Sequence, residues 1–161
     1  MIFLLYIQIL IMVFKDCLKL GFHYEELAVN YFKSIGYNHI LDSNYKNKCS
    51  EYDILISKDN IEKKIEVKSD RLSSKTGNIF IEYECNSKPS GITTSESDLY
   101  IYFIIKNIGY DMYIIPTNGL RELIKDKKYF RVVSGGDKNY SKGYLFKLFQ
   151  LSKYKYIDML D

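Results

Sequence analysis

Apolar residues recur at three- and four-residue spacing from Leu18 through Phe22, Leu27, Ala28, Tyr31 and Phe32 to Ile35. That period predicts a helix over residues 15–35, closed by Gly36, with Gly21 at its start or at a kink. A short apolar run at residues 39–41 predicts a strand, and residues 42–50 are polar. Residues 51–57 and 63–69 both alternate apolar and polar, with Lys58-Asp59-Asn60 between them, which predicts a β-hairpin. Residues 78–85 read as a further strand, and residues 86–98 as a loop or short helix. Residues 99–105 and 111–115 predict a strand pair about Asn107-Ile108-Gly109. Thr117 is placed to cap a short helix through Leu120, Leu123 and Ile124. Residues 129–133 suggest a late strand before a Gly135-Gly136 turn, and residues 143–151 fit either strand or helix. Helix, antiparallel strands and then mixed elements indicate an α/β or α+β domain with a mixed sheet.

The first 14 residues, MIFLLYIQILIMVF, are almost wholly apolar. The run is shorter than the roughly 20 residues that span a bilayer as a helix. No cation precedes it and no small-residue cleavage site follows, so a secretory signal fits poorly. It is read as an apolar extension, residues 1–14, before a single domain over residues 15–161. A core element or a membrane-surface anchor are the other readings, and a membrane is not the expected partner. A total of 161 residues suits one domain with enough core to fold without disulfides. Cys17, Cys49 and Cys85 are odd in number and far apart, which points to reduced thiols inside a cell rather than a cysteine zinc site. The net charge of +3 excludes a polybasic binder but permits a nucleic acid gripped by a local patch. The sixteen tyrosines accompany much Ile, Lys and Asn and are no sign of base stacking.

The hairpin carries the chemistry. Glu66 and Lys68 project from one face of its second strand, Ile65 and Val67 from the other. Asp53 lies thirteen residues before Glu66, a separation that fits two strands and a tight turn. Two carboxylates and an ammonium therefore converge at one edge of a sheet. Close carboxylates repel, and a proton or divalent cation relieves the repulsion. Oxygen-only ligation suits Mg²⁺, which keeps waters and takes few protein ligands. The same triplet also fits an ordinary solvated ion pair on a strand.

The run GFHYEELAVNYFKSIGY, the strand HIL, EYDILIS and IEVKSD, spanning residues 21–70, resembles the core of the PD-(D/E)XK nuclease superfamily. The resemblance implies a restriction-endonuclease-like α-β-β-β-α-β core, with the second helix falling within residues 90–98. It implies that Asp53, Glu66 and Lys68 form a metal site with a helical acid. Glu25, three residues before Ala28, matches that acid, with Glu26 as the alternative. Tyr52 stands where the superfamily usually has a proline. The implied activity is Mg²⁺-dependent DNA endonuclease, with Mn²⁺ as a substitute, in a homodimer of resolvase, restriction or homing type. The alternative is a non-catalytic nucleic-acid-binding or interaction module on the same fold.

Lys46, Lys48, Arg71 and Lys75 flank the hairpin and are candidate DNA contacts, with Lys88 beyond them. The loop at Gly135-Gly136-Asp137-Lys138-Asn139 is either a groove contact or a plain turn. Glu82, Glu84 and Asp98 either add to the acidic edge or are solvated strand or cap residues, and Thr93 and Thr94 either bind phosphate through their hydroxyls or cap turns. His23 and His39 have no metal-ligand partner at usable spacing, and no P-loop or Gly-x-Gly-x-x-Gly occurs.

Overall fold

The computed structural model describes residues 19–42, 51–135 and 140–159. The apolar extension, Cys17, Cys49, Lys46, Lys48 and most of the Gly135–Asn139 loop lie outside the described residues. Helix α1 covers residues 19–34, and Gly36, at φ 90°, turns the chain out of it into strand β1 (Asn38–Asp42). Strands β2 (Ile54–Lys58) and β3 (Ile61–Asp70) form the hairpin. Its two-residue turn is Asp59-Asn60, both with positive φ, as a tight right-twisted hairpin requires. Helix α2 (Ser73–Thr76), strands β4 (Asn78–Cys85) and β5 (Lys88–Pro89), and a 3₁₀ turn at Gly91–Thr93 follow. Then come β6 (Leu99–Ile105), β7 (Tyr110–Pro116), helix α3 (Thr117–Lys125), β8 (Arg131–Gly135) and β9 (Ser141–Lys147). A 3₁₀ turn at Leu148–Leu151 leads to β10 (Lys155–Met159).

Two sheets result. The larger has six strands in the order β1-β2-β3-β6-β7-β10; the smaller has four, β5-β4-β9-β8. Among the described residues only β3 and β6 pair in parallel, so the large sheet is mixed and the small one antiparallel. A parallel pair needs a long crossover. Residues 71–98 supply it, and they carry half of the second sheet with them.

The large sheet is covered on both faces, which explains why β6 reads LYIYFII without alternation. On one face, Tyr24, Ala28, Val29 and Phe32 of α1 pack on Ile54, Ile56, Ile65, Ile101 and Phe103. On the other, Tyr100, Tyr102, Ile104 and Ile115 meet Ile79, Ile81 and Phe146 of the small sheet, with Leu120 of α3 and Leu151. The layers are thus helix, sheet, sheet.

Several expectations are revised. The second helix expected within residues 90–98 is a three-residue 3₁₀ turn, because Gly91, Thr93, Thr94 and Ser95 are weak helix formers. Strand β4 stands in a separate sheet, not beside the hairpin. Thr117 does not cap α3; it is the first helical residue, and its hydroxyl pairs with Ser97 Oγ at 3.0 Å. The late strand begins at Arg131 rather than residue 129. Residues 143–151 divide between strand and 3₁₀ turn, and β10 closes the large sheet where no strand was predicted. Cys85 carries a free thiol. No helix among the described residues is long and apolar enough to cross a membrane.

Candidate active site

Period-two alternation decides where the hairpin's charges go. Ile65 and Val67 face α1, so Glu66 and Lys68 face the small sheet. Asp53 stands one residue before β2 rather than within it. Its N–H donates to the Ile65 carbonyl at 2.8 Å, which keeps it in register beside β3. Asp53 Oδ2 accepts the Val67 N–H at 2.7 Å, and Lys68 Nζ donates to Glu66 Oε1 at 2.6 Å. The expected trio is therefore assembled at one place, and among the described residues one oxygen of each carboxylate stays uncommitted.

The electrostatics of the trio are unbalanced. Burial holds the Asp53 carboxyl above its ordinary range, against the Val67 amide and the Lys68 charge. Burial likewise raises Glu66; Lys68 opposes this, while Asp53 and Glu82 add to it. For Lys68, burial pulls the pKa down, but the charge and hydrogen bond of Glu66 and the charge of Asp53 outweigh it, and the net shift is upward. One firmly protonated ammonium thus faces more negative charge than it neutralises. That is a site short of positive charge.

Glu66 and Lys68 open on a cleft of about 400 Å³ that Glu82, Ser90, Gly91 and Thr94 also line. A recess of about 160 Å³ adjoins it, walled by Lys68, Glu82, Phe80 and Tyr100. Glu82, for which the sequence leaves open the acidic edge or a solvated strand position, lines both cavities. Its Oε1 accepts the Ser90 hydroxyl at 2.7 Å. Tyr100 was not singled out at all. The parallel register puts it beside Glu66, and burial together with the Glu66 charge pushes its phenol up to about 12. The signal available for both was the spacing within each strand, but it needed the β3–β6 and β4 placements to be read.

Glu25 and Glu26 sit on α1. Glu25 borders the buried stripe formed by Tyr24 and Ala28 and is half-buried, whereas Glu26 is exposed. Among the described residues neither joins Asp53 and Glu66 in a three-ligand cluster. Among the described residues, no three acidic, histidine or cysteine side chains form a metal cage. Asp98 serves the scaffold: its Oδ2 accepts the Lys64 N–H at 2.8 Å. Glu84 is tied to Lys142 at 2.7 Å, and Thr93 Oγ1 donates to the Tyr83 carbonyl at 2.9 Å. Thr94 is exposed at the cleft. Arg71 and Lys75 lie exposed in the turn after β3 and in α2, and Lys88 is exposed in β5. His23 lies on α1 and His39 on β1.

Gly91 shapes the cleft. Its φ is 53°, and a Cβ there would lie 2.3 Å from the Glu82 carbonyl oxygen. Backbone cannot give way, so Gly91→Ala is expected to displace the 90–95 loop at a cost of about 2 kcal/mol or more. A melting temperature lower by roughly 5 °C would show it. Gly21→Ala, in open space on α1, is the control and should instead stabilise by about 0.5–1 kcal/mol.

No protein-family model, curated protein or solved structure matches this chain.

Proposed function

We propose that the chain is a divalent-cation-dependent DNA endonuclease and that α1, β1, β2, β3 and β6 correspond to a restriction-endonuclease-like core. One observation carries the reading: Glu66 and Lys68 line a cleft with Glu82, so its carboxylates outnumber its ammonium, and Asp53 stands beside them on the Val67 amide. A surface ion pair left over from strand alternation would leave both partners in solvent, whereas the Glu66 side chain is only 12% exposed.

The donor set fits a hard cation. Among the described residues Asp53 Oδ1 and Glu66 Oε2 are oxygen donors without hydrogen bonds, and Mg²⁺ binds through one or two carboxylates with water filling the rest. Asp53 and Glu66 would hold the ion; Glu25, on α1 across the sheet from the Glu66 face, is left out of the ligand set. When bound, the ion supplies Lewis-acid polarisation of a phosphodiester oxygen. Lys68 stays protonated, so it is no general base. Its ammonium orients the attacking water and offsets charge that builds on the phosphate. The Val67 amide holds Asp53 in place, and Glu66 holds Lys68. Hydrolysis forms one bond from water oxygen to phosphorus and breaks one bond to a sugar oxygen.

The test uses the full chain with MgCl₂ or MnCl₂, on supercoiled plasmid, four-way junction, linear duplex and single strand. Cleavage that EDTA abolishes is expected. A cation present at about 100 times its dissociation constant should stabilise the fold by roughly 2.7 kcal/mol in a thermal melt. Cleavage indifferent to EDTA, or no cation-linked stabilisation, would overturn the metal site. DNA binding without cation binding or cleavage would favour the interaction module on the same fold.

A further inference from the structure

Beyond the cleft, on the far side of the 90–95 loop, a groove of about 280 Å³ runs between Ile92, Thr93 and α3. Arg121 of α3 closes the loop side by donating to the Ser95 carbonyl at 2.6 Å. Lys125 lines the same groove, and the chain then turns through Asp126 to Arg131 into β8. Residues 121–131 hold five cations against two acids, as much net positive charge as the whole chain carries. Lys125, Lys127, Lys128 and Arg131 are all exposed, and among the described residues none of them forms a salt bridge.

Two further features single this turn out. Lys127 has φ 55° and occupies the left-handed position that ends α3, where its N–H meets the Ile124 carbonyl and Lys128 N–H meets Leu123. Glycine fits that position without strain, and lysine is unfavourable there. Secondly, aromatic rings stand among the cations. Phe130 is 51% exposed, with Lys147 Nζ 4.3 Å from its ring centroid and the Arg131 guanidinium at 5.5 Å. Gln150 Nε2 donates to the Lys128 carbonyl at 2.6 Å, which holds the turn bearing Phe149, 75% exposed, alongside.

We infer that the α3–β8 turn, with Phe130 and Phe149, is a binding surface for an unpaired nucleic-acid strand that continues from the cleft along the α3 groove. Uncompensated cations track a phosphate backbone, and exposed rings flanked by cations stack on bases whatever their sequence. A duplex keeps its bases stacked on one another and offers these rings nothing. The inference takes from the cleft reading only the direction of the strand; the surface binds whether or not the cleft cuts.

The test is fluorescence anisotropy of the full chain in EDTA, with a labelled oligo-dT and a duplex of equal length. Lys127→Glu/Lys128→Glu/Arg131→Glu should weaken oligo-dT binding at least about tenfold and flatten the log–log salt slope by roughly two to three. Phe130→Ala should weaken oligo-dT about tenfold and leave duplex binding unchanged. Single Lys128→Gln and Arg131→Gln variants, each expected to flatten the slope by roughly one, stand in if the triple variant does not fold. Wild-type binding by the charge variants overturns the surface. Equal effects of Phe130→Ala on both probes overturn the unpaired strand as its ligand. Loss in these variants of binding to phosphatidylserine vesicles, with oligo-dT unaffected, would reassign the surface to lipid. Cation-linked melting should persist in every variant. If the wild type lacks it, the cleft reading falls and the oligo-dT result still stands.

Discussion

Asp53→Ala and Glu66→Ala are each expected to lower divalent-dependent cleavage by about 10³-fold or more while the protein stays folded. Each removes an oxygen donor that no neighbour replaces: Asp53 is held by the Val67 amide, and Glu66 is paired to Lys68. Neither side chain belongs to the apolar clusters that cover the two faces of the large sheet. Stability should move against activity. Burial raises the Asp53 pKa in the folded protein above its unfolded value. The folded state therefore binds the proton more tightly. The resulting penalty is absent below the unfolded carboxylate range, grows as pH rises through the window up to the folded value, and is complete above it. Asp53→Asn keeps an acceptor for Val67 and removes the charge. It should stabilise the protein near neutral pH, and the gain should fade in acid. Urea midpoints of the two proteins at about pH 7 and about pH 4 measure this. A variant that cuts like the wild type on plasmid, junction and single strand removes Asp53 or Glu66 from the mechanism.

Lys68→Met is expected to lower turnover by roughly 10²–10³-fold without weakening cation binding, since an ammonium ligates nothing. Its loss removes the charge that holds the Glu66 pKa down, against burial and Asp53. Glu66 then rises further, and the variant should be less stable than the wild type at neutral pH, with the deficit shrinking in acid. Mn²⁺ should restore more stability to Lys68→Met than to the wild type, because the ion supplies the missing positive charge. Lys68→Arg keeps the charge but not the compact donor, so only part of the rate returns. Cation affinity lost as fully as in Asp53→Ala would show that Lys68 builds the site rather than orienting water.

The local pattern was enough to locate α1, the hairpin, β6, β7 and α3, because each is amphipathic or apolar with its own period and has turn chemistry at its ends. Asp59-Asn60 closes the hairpin, Gly36 ends α1 and Gly109 turns β6 into β7. The convergence of Asp53 with Glu66 and Lys68 was equally legible, since it depends only on the hairpin's register and on alternation along β3. Pairings between segments far apart in the chain were not. The parallel register that sets Tyr100 beside Glu66, and the departure of β4 into a second sheet that turns Glu82 towards the cleft, depend on which strand edges meet. A strand's own residues do not encode its neighbour; burial of both faces of β6 decides it. Thr117 makes the same point on a smaller scale. Its sequence context suits a helix cap, yet Ser97, twenty residues away along the chain, takes its hydroxyl. Short-range hydrogen bonds and side-chain period belong to the sequence, whereas the identity of the second wall of the cleft was decided by long-range packing alone.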